Sequence, residues 1–339
     1  MVTLKFLEAW KHVLQLCNLR AGELVCVLVG DASHPDSVEA ARLSAQMMGA
    51  RLFKLELGEA PAAKIAGEST ATQGPTALSG NRGAVEALKH SDLVIDLMGI
   101  DRGREQTEIL ATGTRILLVK EPPDVLMRLL PRPEDRIAVR AAADRLTRAK
   151  IMHVTSKTGT HLTVGLGEFP VLVQYGYADE PGRWDHWPSA FAAGWPNEGT
   201  AKGRVILSPG DCILPFKSYV RSPIALDIEG GYIRHIVGDL DARYLRDYMD
   251  SFHDPEGYAV AHLGWGVHSR AHWTMLGMYD KRQTNAMDAR SFSGNFMFST
   301  GPNAEAGGNR HTPCHLDIPM LDCSVALDGK PATIDGRVV

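Results

Sequence analysis

The chain reads as α/β in two parts. An N-terminal open parallel α/β sheet domain covers residues 1–150, and a C-terminal α+β, mainly antiparallel domain covers residues 151–339. Three observations carry this reading. Continuous apolar runs alternate with helical periodicity as far as residue 150. From Ile151, β-branched alternation around glycine turns takes over. Ten of the 13 histidines and five of the six tryptophans lie in that second part. Strands that alternate with helices build βαβ units and a parallel sheet.

In the first part, Leu4, Leu7, Trp10, Leu14 and Cys17 recur at helical spacing. The run Leu24 to Gly30 is continuously apolar, as in a strand buried on both faces. Pro35 then suits a helix start, and that helix runs to Met48 and ends at Gly49. The alternation continues with a strand over Leu52–Leu57, a helix over Arg82–Lys89 and a strand over Leu93–Leu97. A helix from Arg104 and a strand over Arg115–Val119 follow. The turn after the first strand reads Gly30-Asp31-Ala32-Ser33-His34, with neither GxGxxG nor a Walker motif, so no dinucleotide site is expected. Asp124 to Lys150 reads as one or two connecting helices. In the second part, His153 to Val164 reads as a β-hairpin turning at Gly159, with further strands over 204–207, 212–214, 224–228 and 232–237. Helical spacing returns over Ala242–Phe252.

Composition narrows the function classes. With 339 residues, 44% hydrophobic, 22% charged and a net charge of −4, the chain is an ordinary globular protein with no basic field for nucleic acid. The segment after Met1 carries Glu8, Lys11 and His12, unlike a signal peptide, and no apolar run reaches the roughly 18 residues of a membrane span. Five cysteines without a CxxC pair point to free thiols in a reducing cytoplasm.

The candidate chemistry lies late in the chain. His315 and Asp317 form an H-x-D pair between Pro313 and Pro319, and on an extended segment residues two apart share a face. His262 sits in the apolar, glycine-rich run Ala261 to Gly266, where a buried imidazole needs a partner. Two imidazoles and one carboxylate are the ligand set of non-haem Fe(II) oxygenases. On spacing alone, a metal site and three hydrogen-bonded core residues are evenly balanced readings. The stretch Gln174 to Pro188 is dense in aromatics. It reads either as a loop closing over the sheet or as a substrate wall of Tyr175, Tyr177, Trp184 and Trp187 stacking on a flat ring, with His186 moving protons. Glu198 is either a solvated loop residue or a ligand or base. Ser299 and Thr300 offer hydroxyls to a ligand or simply end a strand. His268, His272 and His311 are candidate partners of the ligands, although His311 beside Arg310 equally suits an exposed loop.

The strings Ala178 to Ser189, Leu245 to Met249, His262 to Gly266, Phe298 to Asn303 and Thr312 to Pro319 closely resemble the 2,5-dihydroxypyridine 5,6-dioxygenases, Fe(II) ring-opening enzymes of nicotinate and nicotine catabolism. The likeness extends to Gly113 to Leu118 and Glu121-Pro122-Pro123. It implies Fe(II) on His262, His315 and Asp317, and ring opening of 2,5-dihydroxypyridine with O2 and water to N-formylmaleamate. His186 and Ser299 would then be catalytic, with Gln174, Tyr175, Tyr177, Trp184, Trp187, Glu198 and Thr300 at the substrate.

Two departures stand out: the loop Gly99-Ile100-Asp101-Arg102-Gly103 lacks the histidine of relatives, and Gln174 replaces a glutamate. They leave open a related hydroxypyridine as substrate, or a proton-transfer role moved to His186. The second part also resembles, more distantly, the thermophilic metallo-aminopeptidases, whose two-metal site would use Glu198 and Asp317. Here Asn197 stands where that family has the glycine of a Gly-Glu turn. A metal-free binding protein is the third reading. The expected partners are a small aromatic N-heterocycle and O2, with neither nucleic acid nor membrane, and a sheet-based, aromatic-rich surface suits a homo-oligomer.

Overall fold

The structure is a computed structural model that describes residues 2–58, 76–100 and 103–339. Asp101 and Arg102, in the loop that departs from relatives, lie outside the described residues. The first half runs α1 (Leu4–Leu16), β1 (Leu24–Val29), α2 (Pro35–Met47), β2 (Arg51–Glu56), α3 (Arg82–Lys89) and β3 (Leu93–Asp96). It continues with α4 (Arg104–Leu110), β4 (Arg115–Leu118), α5 (Pro123–Arg128) and α6 (Pro133–Arg148). The second half opens with β5 (Ile151–Ser156), β6 (His161–Gly165), β7 (Val171–Gln174), β8 (Trp184–His186), β9 (Phe191–Gly194) and β10 (Lys202–Leu207). Then come β11 (Cys212–Ile213), β12 (Ser218–Tyr219), β13 (Ile224–Glu229), β14 (Tyr232–Gly238) and α7 (Leu240–Asp250). The chain ends with β15 (Val260–Gly266), α8 (Met287–Ser291), β16 (Phe296–Thr300), β17 (Leu316–Met320), β18 (Cys323–Leu327), β19 (Lys330–Ile334) and β20 (Arg337–Val338).

The helix starts obey local chemistry. Thr3 Oγ1 accepts from the Phe6 amide to cap α1, and His34 Nδ1 accepts from Asp36 N ahead of Pro35 to cap α2. The first sheet has the order β2-β1-β3-β4-β8 and is parallel throughout. Alternate residues of β1 feed different cores: Val25, Val27 and Val29 face one, Cys26 and Leu28 the other. Burial on both faces is why that run is apolar without a break.

The fifth strand of this sheet comes from the second half of the chain. Residues 184–186 form a strand along β4, where the Ile116 amide donates to Arg183 O and the Trp187 amide to Leu118 O. A β4 edge left open would expose those backbone groups, so the aromatic segment is sheet as well as loop. His186 thereby reaches the C-terminal end of a parallel sheet, where open α/β folds place ligands.

Three antiparallel sheets make up the rest: an eight-stranded one in the order β14-β13-β10-β6-β5-β18-β19-β20, a five-stranded one in the order β17-β16-β15-β9-β7, and a two-stranded one of β11 and β12. The largest hydrophobic core runs from Trp10 on α1 through Leu117, Trp187 and Leu263 to Val325. Trp187 is fully buried and meets Trp10 edge to face at 5.0 Å. Trp187→Ala is expected to cost about 3–5 kcal/mol through the cavity it leaves, read from urea denaturation. A loss below 1 kcal/mol would contradict the packing described.

Candidate metal centre

His262 sits where β15 breaks register. Val260 faces Thr300 and Leu263 faces Phe298, so β15 carries one residue more than β16 across this interval, which spans Ala261 and His262. A bulge of this kind re-aims a side chain. The glycine after it allows a close approach: a Cβ on Gly264 would lie 1.9 Å from Ala192 O on β9.

His315 immediately precedes β17 and is positioned by the end of β16. Its Nδ1 donates to the Thr300 carbonyl at 2.7 Å, because a carbonyl can only accept. The proton on Nδ1 leaves Nε2 as the lone-pair atom, the usual arrangement of a metal-ligating histidine. Gly301, at φ +102, makes this possible, since a Cβ there would lie 2.2 Å from Cys314 O, next to the His315 backbone.

Asp317 is held from both sides. It pairs with Ser299 across β16, and its backbone exchanges hydrogen bonds with Leu214 at 2.9 and 3.1 Å. Its Oδ1 lies 3.2 Å from His262 Nε2 and 3.4 Å from His315 Nε2, while Oδ2 lies 2.6 Å from Arg290 Nη1.

The three residues are buried, and each brings one ligand atom within 4.8 Å of the others. Asp317 Oδ1 and His262 Nδ1 are both buried without a hydrogen bond among the described residues. Two imidazoles and a carboxylate oxygen converging without hydrogen bonds at Oδ1 suit a cation, and the donor types match a mononuclear Fe(II) site. Burial by itself would make the Asp317 carboxyl a weaker acid. The Arg290 guanidinium, then His315 and His262, outweigh burial and hold the carboxyl well below its usual range. The ligand therefore stays ionised.

His262, Arg290 and Asp317 share a small, partly enclosed pocket of about 20 Å³ with Gln174, Trp184, His186, Asn285 and four apolar side chains, Leu172, Phe191, Met287 and Met297. Gln174 ends β7 and its Oε1 accepts from Ser189 Oγ at 3.3 Å. The turn between β7 and β8 is organised by Asp185. Its carboxylate accepts from the Tyr175 and Gly176 amides at 3.1 and 3.0 Å and pairs with Arg183 at 2.5 Å. Burial pushes Asp185 up despite Arg183.

Other residues expected at the site stand elsewhere. Tyr175 is fully buried, with Arg183 3.8 Å over its ring and its hydroxyl donating to Asp179 at 2.6 Å. Tyr177 packs edge to face on Tyr175 at 4.8 Å, and Trp187 packs on Trp10. The clamp on Asp185 folds this segment so that Gln174, Trp184 and His186 line the cavity while these three rings enter the core. Ser299 Oγ donates to the His262 carbonyl at 2.7 Å, and Thr300 contributes its carbonyl to His315. Both act on the ligands through the backbone. Glu198 is half-exposed, pairs with Arg310 at 2.9 Å, and lies outside the three-residue donor group among the described residues.

His268 is buried and accepts from the Arg270 amide, and burial lowers its basicity. The His272 amide donates to Asp288, and His311 is exposed. Arg290, Asn285 and Met287 carried no motif in the sequence. Glu121, within a string quoted above, holds their loop: Thr284 Oγ1 and the Asn285 and Met287 amides donate to its buried carboxylate at 2.6, 3.0 and 2.9 Å.

A family model described as 2,5-dihydroxypyridine 5,6-dioxygenase matches residues 5–339. A curated 2,5-dihydroxypyridine 5,6-dioxygenase from Pseudomonas putida KT2440 is 49% identical over 334 residues, covering 98% of this chain and 95% of the relative. The solved structure of 2,5-dihydroxypyridine dioxygenase from the same organism superposes with a TM-score of 0.96 at 48% identity, covering 98% of this chain and 96% of that one. AmpT from Thermus thermophilus superposes with a TM-score of 0.61 at 16% identity over 99% of both chains, a likeness of fold alone.

Proposed function

Because the chain belongs to the 2,5-dihydroxypyridine 5,6-dioxygenase family, we propose that it opens the ring of 2,5-dihydroxypyridine with O2 to give N-formylmaleamate, at one Fe(II) held by His262, His315 and Asp317. The observation that carries the reading is the buried convergence of exactly this donor set within 4.8 Å. The atoms balance without net water: C5H5NO2 and O2 together make C5H5NO4.

Bound there, the metal supplies the electron transfer and Lewis acidity that O2 chemistry needs. The side chains do the rest. His186 lines the same pocket as His262 and Asp317, which supports a role in taking a proton from a ring hydroxyl and returning it later. Trp184 offers a flat wall to the ring, and the Gln174 amide offers a neutral hydrogen-bonding group. Phe191, Met287 and Met297 exclude water, which strengthens every polar contact inside. All five cysteines are buried and free, which suits a reducing cytoplasm. Glu198 pairs with Arg310 and stands outside the donor group found among the described residues, which counts against a two-metal hydrolase.

The test loads purified protein anaerobically with Fe(II) and follows O2 uptake over a panel of hydroxypyridines, with leucine amide hydrolysis measured in parallel. The expected result is about one iron per chain and uptake with 2,5-dihydroxypyridine. Two metal ions with amide hydrolysis, or no uptake with any hydroxypyridine, would overturn the proposal.

A further inference from the structure

We infer that Arg290 is a positioning residue that reserves one oxygen of Asp317 for the metal by holding the other itself. The inference rests on the proposed metal site and deepens it. Arg290 Nη1 lies 2.6 Å from Asp317 Oδ2, while Oδ1 of the same carboxylate faces the two imidazole nitrogens at 3.2 and 3.4 Å. The two carboxylate oxygens thus have separate assignments. A charge-assisted bond of this length fixes the rotation of the carboxyl group, so Oδ1 is the oxygen presented to a cation.

The guanidinium is itself held in place. Arg290 is buried on the short helix α8, and α8 is pinned at both ends. Ahead of it, Glu121 binds the Asn285 and Met287 amides. Behind it, Asn295 Nδ2 donates to the carbonyls of Ala289 and Arg290 at 2.7 and 2.9 Å, and Asn295 Oδ1 accepts from the Gly266 amide at 2.6 Å. Gly266 ends β15, the strand that carries His262. Arg290 is therefore referenced to the same strand as a ligand, and its position is set together with the site's.

The experiment measures the dissociation constant of Fe(II), and of Mn(II) as an air-stable probe, by chelator competition on the full chain. Arg290→Met is expected to weaken binding by about 10–100-fold, the usual effect of losing a residue that orients a ligand. Arg290→Lys, which keeps a cationic donor for Oδ2, is expected to restore most of that loss. Thermal unfolding of the metal-free proteins runs alongside. A residue that merely packs α8 would lower that stability in both variants and leave metal affinity per folded molecule unmoved, and this outcome overturns the inference. If Arg290→Met does not fold, Arg290→Lys decides alone: near-wild-type affinity supports the role, and a loss as large as that expected of Arg290→Met overturns it. Wild-type protein that binds no divalent ion would instead sink the metal site on which the inference rests.

Discussion

Replacing His315 by alanine is expected to leave a folded protein that neither retains iron nor consumes O2. His315 is 2% exposed, and its Nδ1 is committed to the Thr300 carbonyl, so its Nε2 faces Asp317 with no alternative orientation that keeps the bond. Removing the imidazole takes away one of three donors and unties β16 from the residue before β17. Metal chemistry supplies several kcal/mol of stabilisation to a reaction of this kind, which corresponds to a loss of about 10³-fold or more in rate. Iron content and O2 uptake with 2,5-dihydroxypyridine check the result, with His311→Ala as a control because His311 is exposed. Full uptake by the His315→Ala protein would remove His315 from the ligand set.

Gly264→Ala is expected to have the largest effect on folding. An alanine Cβ at this position would sit 1.9 Å from Ala192 O and 2.6 Å from Ala193 Cα, both backbone atoms of β9 in the same sheet. No rotamer change relieves a clash with backbone, so β15 and β9 must separate or the strand must bend. Either change disturbs the bulge that presents His262 two residues earlier. We expect destabilisation beyond about 4 kcal/mol, in the class of severe core lesions, with loss of iron in whatever fraction folds. Chemical denaturation and iron content measure both. A variant with wild-type stability would show that β9 does not approach as closely as described.

The elements that local rules govern were legible. The apolar run at 24–29, Pro35 at a helix start, the helix at 82–89 and the hairpin around Gly159 all stand where residue pattern places them, within a residue or two. The segment at 184–186 was not, because its partner strand β4 is some 70 residues away and three residues carry too little periodicity to mark a strand. Its aromatic density was equally ambiguous. Tryptophan and tyrosine suit a stacking wall and a core alike, and the turn organised by Asp185 sends Trp184 to the cavity but Trp187 to Trp10.

By itself, the sequence determined the α/β class and the late position of the candidate chemistry, while it pointed to His262, His315 and Asp317 as donors only through the family resemblance. Periodicity and the two-residue spacing of His315 and Asp317 are properties of a few neighbouring residues. The tertiary structure alone decided that His262 arrives through a bulge 55 residues upstream of Asp317, that Arg290 takes Oδ2, and that His186 enters from the parallel sheet. The physical reason is that these are pairings between distant segments. They follow from how sheets share edges and how a buried carboxylate finds compensating charge, and no local pattern encodes either.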